Sequence, residues 1–126
     1  MFKLILLVGA GGFIGSVGRY LVQLLFCKNT LSVFPYNTII VNILGSLLIG
    51  IIYALSEKQN IMTPEWRIFL ATGICGGFTT FSAFSYENIS LLRDGQLMQA
   101  LVYSSLSIIF GLLATYIGII LVKQLF

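Results

Sequence analysis

Leu97-Met-Gln-Ala-Leu-Val-Tyr-Ser-Ser-Leu-Ser-Ile-Ile-Phe-Gly-Leu-Leu-Ala-Thr-Tyr-Ile-Gly-Ile-Ile-Leu-Val122 contains no Asp, Glu, Lys or Arg. A helix rises about 1.5 Å per residue, so roughly 20 apolar residues cross a ~30 Å hydrocarbon core. This stretch is therefore long enough to span a bilayer. Working back from it, the turn signal Arg93-Asp94-Gly95 closes a second apolar stretch, Arg67 to Leu91. Ser56 to Glu65, with Pro64, separates that stretch from another at Asn37 to Leu55. Lys28-Asn29-Thr30 and Pro35 separate the latter from Leu4 to Phe26. Four spans and short turns use up the chain as a single domain over residues 1–126, and sequential helices are expected to be antiparallel neighbours.

The composition agrees. Of 126 residues, 58% are hydrophobic and 9% charged, and the mean hydropathy is +1.01. A water-soluble domain carries about 25% charged residues, so lipid is the expected surrounding. The formal charge of +3 is too small and too scattered for nucleic-acid binding and fits Lys and Arg near lipid headgroups. There is no histidine, and Cys27 and Cys75 form neither a CxxC motif nor a metal-ligand spacing. Cys75 reads as a small apolar residue. Met1-Phe2-Lys3 followed by Leu4 to Val8 imitates a signal peptide, but the apolar pattern continues to Phe26, so retention as a span is expected.

Lys3, Lys58, Arg67 and Lys123 fall on the side holding both termini; Lys28, Arg93 and Arg19 fall on the other. Four against three gives almost no preference under the positive-inside rule. Insertion in both orientations, with pairing as an antiparallel homodimer, is the expectation.

Polar residues inside spans are costly and therefore informative. In the first span Gly11, Gly15 and Gly18 share a face, and Gly11-xxx-Gly15 permits close backbone approach. Arg19, about 23 Å along the helix from Leu4, has two readings: snorkelling to headgroups, or a cation at the mouth of an anion path. Asn42, Ser46 and Gly50 repeat at four-residue spacing in the second span, and Asn42 suits an interhelical clasp or the lining of a wet pathway. The segment Gly73 to Ser85 carries three glycines and four hydroxyls at mid-membrane depth, so a helix break is expected near Gly76 to Thr80. Backbone freed at that depth is tolerated inside protein, beside internal water or on an ion. Phe81 and Phe84 lie in the same stretch; phenylalanine ordinarily faces lipid or core, but its positive ring edge can also face an anion. Glu87 is either an interfacial acid or a partner of the pathway. Tyr103, Ser107, Gly111 and Thr115 repeat at four-residue spacing in the last span, as a packing face or as a chain of donors.

Three motifs carry a resemblance over essentially the full chain: Gly12-Phe-Ile-Gly-Ser-Val-Gly-Arg-Tyr20, Asn37-Thr-Ile-Ile-Val-Asn-Ile-Leu-Gly45 and Gly73-Ile-Cys-Gly-Gly-Phe-Thr-Thr-Phe-Ser-Ala-Phe-Ser-Tyr-Glu87. Together they resemble the Fluc/CrcB family of fluoride channels. The resemblance implies an all-α, antiparallel, dual-topology homodimer in a prokaryotic plasma or inner membrane. It implies two fluoride pores and a central structural sodium ion, with passive export of cytoplasmic fluoride and no enzymatic activity. It places Arg19 in an aqueous vestibule and Asn42, Phe81, Phe84, Tyr103, Ser107, Thr115 and Glu87 along the pore. It assigns the backbone carbonyls of Gly76 and Thr79 to sodium. Ala83 and Gly111 stand where many or some members carry a hydroxyl, which removes two possible donors.

A small multidrug transporter, also four helices, needs a deep carboxylate. The acids here are Glu57, Glu65, Glu87 and Asp94, none in the first span. A non-transporting assembly subunit would account for the glycine faces but not for the polar track or the break. Intramembrane enzymes need a Ser/Lys or Asp pair or a metal-ligand cluster, and the sequence offers none.

Overall fold

The computed structural model describes residues 1–27, 34–58 and 60–126. Its regular secondary structure among those residues is helical, with four helices long and apolar enough to cross a membrane: Phe2–Phe26, Tyr36–Glu57, Pro64–Arg93 and Leu97–Leu125. In chain order the elements are α1 (Phe2–Cys27), α2 (Tyr36–Glu57), α3 (Pro64–Arg67), a π-helical segment (Ile68–Cys75), α4 (Gly76–Phe78), α5 (Phe81–Arg93) and α6 (Leu97–Leu125). The spans extend a few residues beyond the limits set by the turn signals. Pro35 immediately precedes α2 as expected, whereas the Lys28-Asn29-Thr30 turn lies outside the described residues.

Large apolar side chains cover the outside, among them Phe13, Leu25 and Leu112, each at least 70% exposed on the single chain. That is the surface of a lipid-embedded protein. With no hydrophobic gain from pairing helices in lipid, close backbone packing must hold them together. Two seams do so. α1 lies against the π-helical segment and α4, where a Cβ on Gly15 would come within 2.1 Å of the Ile74 carbonyl oxygen. α2 lies against α6, where a Cβ on Gly118 would meet the Leu47 carbonyl oxygen at 2.5 Å.

The third span breaks within the expected window, at Thr79 (φ −82°, ψ 157°) and Thr80 (φ −151°, ψ 119°), both extended. The local chemistry is a helix end and a helix start placed back to back. Thr79 closes the first half by donating from its amide and its hydroxyl to the Cys75 carbonyl, at 3.0 and 2.9 Å. Thr80 opens the second half as an N-cap, its hydroxyl oxygen accepting from the Ala83 amide at 3.2 Å. The run Ile68–Cys75 departs from the expected α-helix. Its π geometry takes about one more residue per turn, which rotates later side chains around the axis.

Candidate functional site

The break faces a cleft of about 360 Å³ between α2 and α6, lined by Asn42, Gly45, Ser46, Thr79, Thr80, Phe81, Phe84, Ser107 and Thr115 with Ile49 and Ile108. Five residues singled out from sequence for an ion path, Asn42, Phe81, Phe84, Ser107 and Thr115, thus meet at one place. Thr79, assigned to sodium, joins them.

Asn42 binds the break with both ends of its amide. Its Nδ2 donates to the Thr80 carbonyl at 3.0 Å and its Oδ1 accepts from the Thr80 amide at 2.8 Å. One N–H of the side chain remains for the cleft it lines. Asn42 therefore clasps two helices, as one of its two readings expects, and it also lines the cleft. The amide of Thr80, which an unbroken helix would direct to the Gly76 carbonyl, goes to Asn42 instead. Gly76 lies on an exposed face and Thr79 is half-buried. Carbonyl oxygens released by unwinding suit a hard monovalent cation.

The rings of Phe81 and Phe84 are 5.7 Å apart and tilted by 37°. Phe81 is 77% exposed on the single chain while also lining the cleft. Phe84 packs inward on Tyr103, with centroids 5.2 Å apart.

The polar repeat of α6 divides. The Thr115 hydroxyl lies 3.0 Å from the Ser46 carbonyl and 3.2 Å from that of Gly111, so its one proton is committed to backbone. The Ser107 hydroxyl oxygen is buried and has no hydrogen-bond partner among the described residues. On Gly111 a Cβ would sit 3.7 Å from the Ser46 Oγ, an ordinary van der Waals contact. Tyr103 turns away from the cleft. It is fully buried and its hydroxyl donates to Glu87 Oε2 at 2.7 Å.

Glu87 accepts a second hydroxyl on its other oxygen, from Thr38 at 2.7 Å. Thr38 is 2% exposed, so α2, α5 and α6 converge on one carboxylate. The sequence reading passed over Thr38, although it extends the Asn42, Ser46, Gly50 spacing by one step toward the helix start. It also passed over Asn88, which donates to the Phe84 carbonyl at 3.0 Å and accepts from Ser104 at 2.8 Å. That pair ties the backbone of Phe84 to α6. Arg19 is half-buried on α1 and does not line the cleft.

A polytopic membrane protein whose third span unwinds at an aromatic-edged cleft lined by hydroxyls and an amide is built as a membrane transport protein. The chain belongs to the CrcB-like family (CrcB-like protein, Camphor Resistance), whose profile matches residues 6–119. A protein of Flavobacterium psychrophilum called "Fluoride-specific ion channel FluC" is 50% identical over 123 residues, covering 98% of this chain and 99% of its own length. Proteins of the same name from Chlorobium chlorochromatii and Leptospira interrogans are similar too. The first is 53% identical over 116 residues, 92% of this chain and 89% of its own. The second is 42% identical over 122 residues, 97% and 96%.

Proposed function

We propose that this protein is a fluoride-selective, passive ion channel that lets cytoplasmic fluoride leave the cell. The observation that carries the reading is the buried Ser107 hydroxyl, without a partner among the described residues, in a cleft edged by Phe81 and Phe84. Full-length similarity to proteins named as fluoride-specific ion channels supports it.

Fluoride is small and holds its water tightly, so a path must offer replacement donors. Ser107 and the remaining N–H of Asn42 are hydrogen-bond donors, and the ring edges of Phe81 and Phe84 present partial positive charge. A narrow path edged by rings fits larger halides poorly. Tyr103 and Thr115 have their protons on Glu87 and on backbone carbonyls, so in this reading they hold the helices in register beside the path. Glu87, taken by Thr38 and Tyr103, holds α2, α5 and α6 together beside the path. Arg19 serves a vestibule, raising the local anion concentration.

The working unit in this reading is an antiparallel homodimer with two pores, inserted both ways up in a prokaryotic inner membrane. The near-even distribution of Lys and Arg supports dual insertion, and the exposure of Phe81 on the single chain leaves a ring for a second copy to cover. A central sodium ion, held by the Gly76 and Thr79 carbonyls, would supply positive charge that offsets the cost of an anion in low dielectric. Hydrogen fluoride enters through lipid and dissociates inside; the negative-inside potential then drives the anion out without ATP.

Fluoride efflux from liposomes holding the purified protein, beside an identical chloride experiment, tests this. Rapid, valinomycin-dependent fluoride release with negligible chloride release is expected. Silence toward both anions from folded protein would leave the assembly-subunit or drug-transport readings.

A further inference from the structure

A second cleft, of about 470 Å³, lies far from the helix break, where α1 and α3 begin. Lys3, Leu7, Thr63, Glu65, Trp66 and Phe69 line it. Lys3 and Glu65 face the same space, yet no salt bridge joins them among the described residues. One cation and one anion thus line a single cleft at the end of the bundle where two spans start.

The residues one helical step further in are apolar. Leu7 follows Lys3 by four positions and Phe69 follows Glu65 by four, each about 6 Å deeper along its helix. The cleft wall therefore runs from charged to apolar in the direction that a phospholipid runs from headgroup to acyl chain. Trp66 stands beside it, 57% exposed, with its ring 5.8 Å from that of Phe69 in an edge-to-face arrangement. Tryptophan in such a position marks the membrane interface. Thr63 accepts from the Trp66 amide at 3.3 Å, which leaves its own hydroxyl proton to donate.

We propose that this cleft binds a zwitterionic phospholipid bearing a primary ammonium, of the phosphatidylethanolamine kind. Lys3 and the Thr63 hydroxyl take the phosphate, Glu65 takes the ammonium, and Leu7 and Phe69 take the start of the acyl chains. A primary ammonium has three N–H donors for the Glu65 carboxylate, and such charge-assisted hydrogen bonds are the strong ones. A choline headgroup has the charge but no donor. A glycerol headgroup lacks the charge.

The test is native mass spectrometry of the full chain, purified in detergent and supplied with equal amounts of phosphatidylethanolamine, phosphatidylcholine and phosphatidylglycerol. Wild type is expected to retain the ethanolamine lipid about fivefold over the choline lipid. Glu65→Gln should erase that preference, and Lys3→Gln should lower retention of all three lipids. Equal retention of the ethanolamine and choline lipids by wild type, or a preference that survives Glu65→Gln, overturns the proposal. Thermal unfolding in lipid-free detergent establishes that each variant is folded. The mass readout needs no ion conduction, so it stands or falls apart from the channel reading.

Discussion

Asn42 on α2 occupies both backbone groups of Thr80, donating to its carbonyl at 3.0 Å and accepting from its amide at 2.8 Å. One side chain thereby satisfies the backbone at the point where the third span stops being helical. Lipid offers no hydrogen bonds for that task, so the side chain of Asn42 takes the place of the lost helical partners of Thr80.

Asn42→Ala should therefore destabilise the protein by about 1–3 kcal/mol, because it strands a buried donor and acceptor together. Thermal unfolding in detergent measures it. A melting temperature equal to that of wild type would mean that the break is held by something other than this clasp.

Ser107→Ala separates conduction from folding. The hydroxyl has no partner among the described residues, so its removal should leave the melting temperature unchanged or slightly raised. A donor to an anion is worth about 1.5–3 kcal/mol, so fluoride efflux should fall roughly ten- to a hundredfold. Unchanged efflux would remove Ser107 from the ion path.

Phe81→Ile together with Phe84→Ile keeps apolar bulk and discards the ring edges. Fluoride flux should be abolished while the protein elutes from size exclusion as wild type does. Undiminished flux would end the aromatic-edge role.

Tyr103→Phe and Thr38→Val each remove one hydroxyl from Glu87. Each should cost about 1 kcal/mol of stability. The two losses should not add, since both donors act on one carboxylate. Strict additivity in a double-mutant cycle would show that the carboxylate does not couple them.

Gly15→Ala should cost about 1–3 kcal/mol or prevent assembly of the bundle, because the new methyl meets backbone of the third span at 2.1 Å. Gly12→Ala, where a Cβ would meet nothing within 4 Å, should be tolerated. Equal yields and melting temperatures for the two variants would contradict the seam.

Hydropathy made the four spans legible in the sequence, and glycine and hydroxyl residues at membrane depth made the break legible. Asn42 stood out because an isolated amide in an apolar helix needs a partner; its partner, the Thr80 backbone, did not, since a main-chain group has no sequence signature. The π-helical run Ile68–Cys75 was invisible because its apolar residues suit an α-helix equally well. Thr38 escaped notice because a threonine near a helix start resembles an ordinary end residue, and only the converging third dimension gives it Glu87. The separate fates of Tyr103 and Ser107 were also hidden. Four-residue spacing places them on one face, but a long phenol reaches a carboxylate that a serine cannot.

The seam at Gly15 has a genetic consequence. Glycine is the smallest residue, so every missense change at that codon adds volume where the neighbouring backbone leaves none. No neutral step leads away from it. Positions exposed on the single chain, such as Leu112, have room for a broad set of apolar residues, while a larger residue at Gly15 requires the opposing helix to move. The seam is therefore a place in the bundle with little room for mutation.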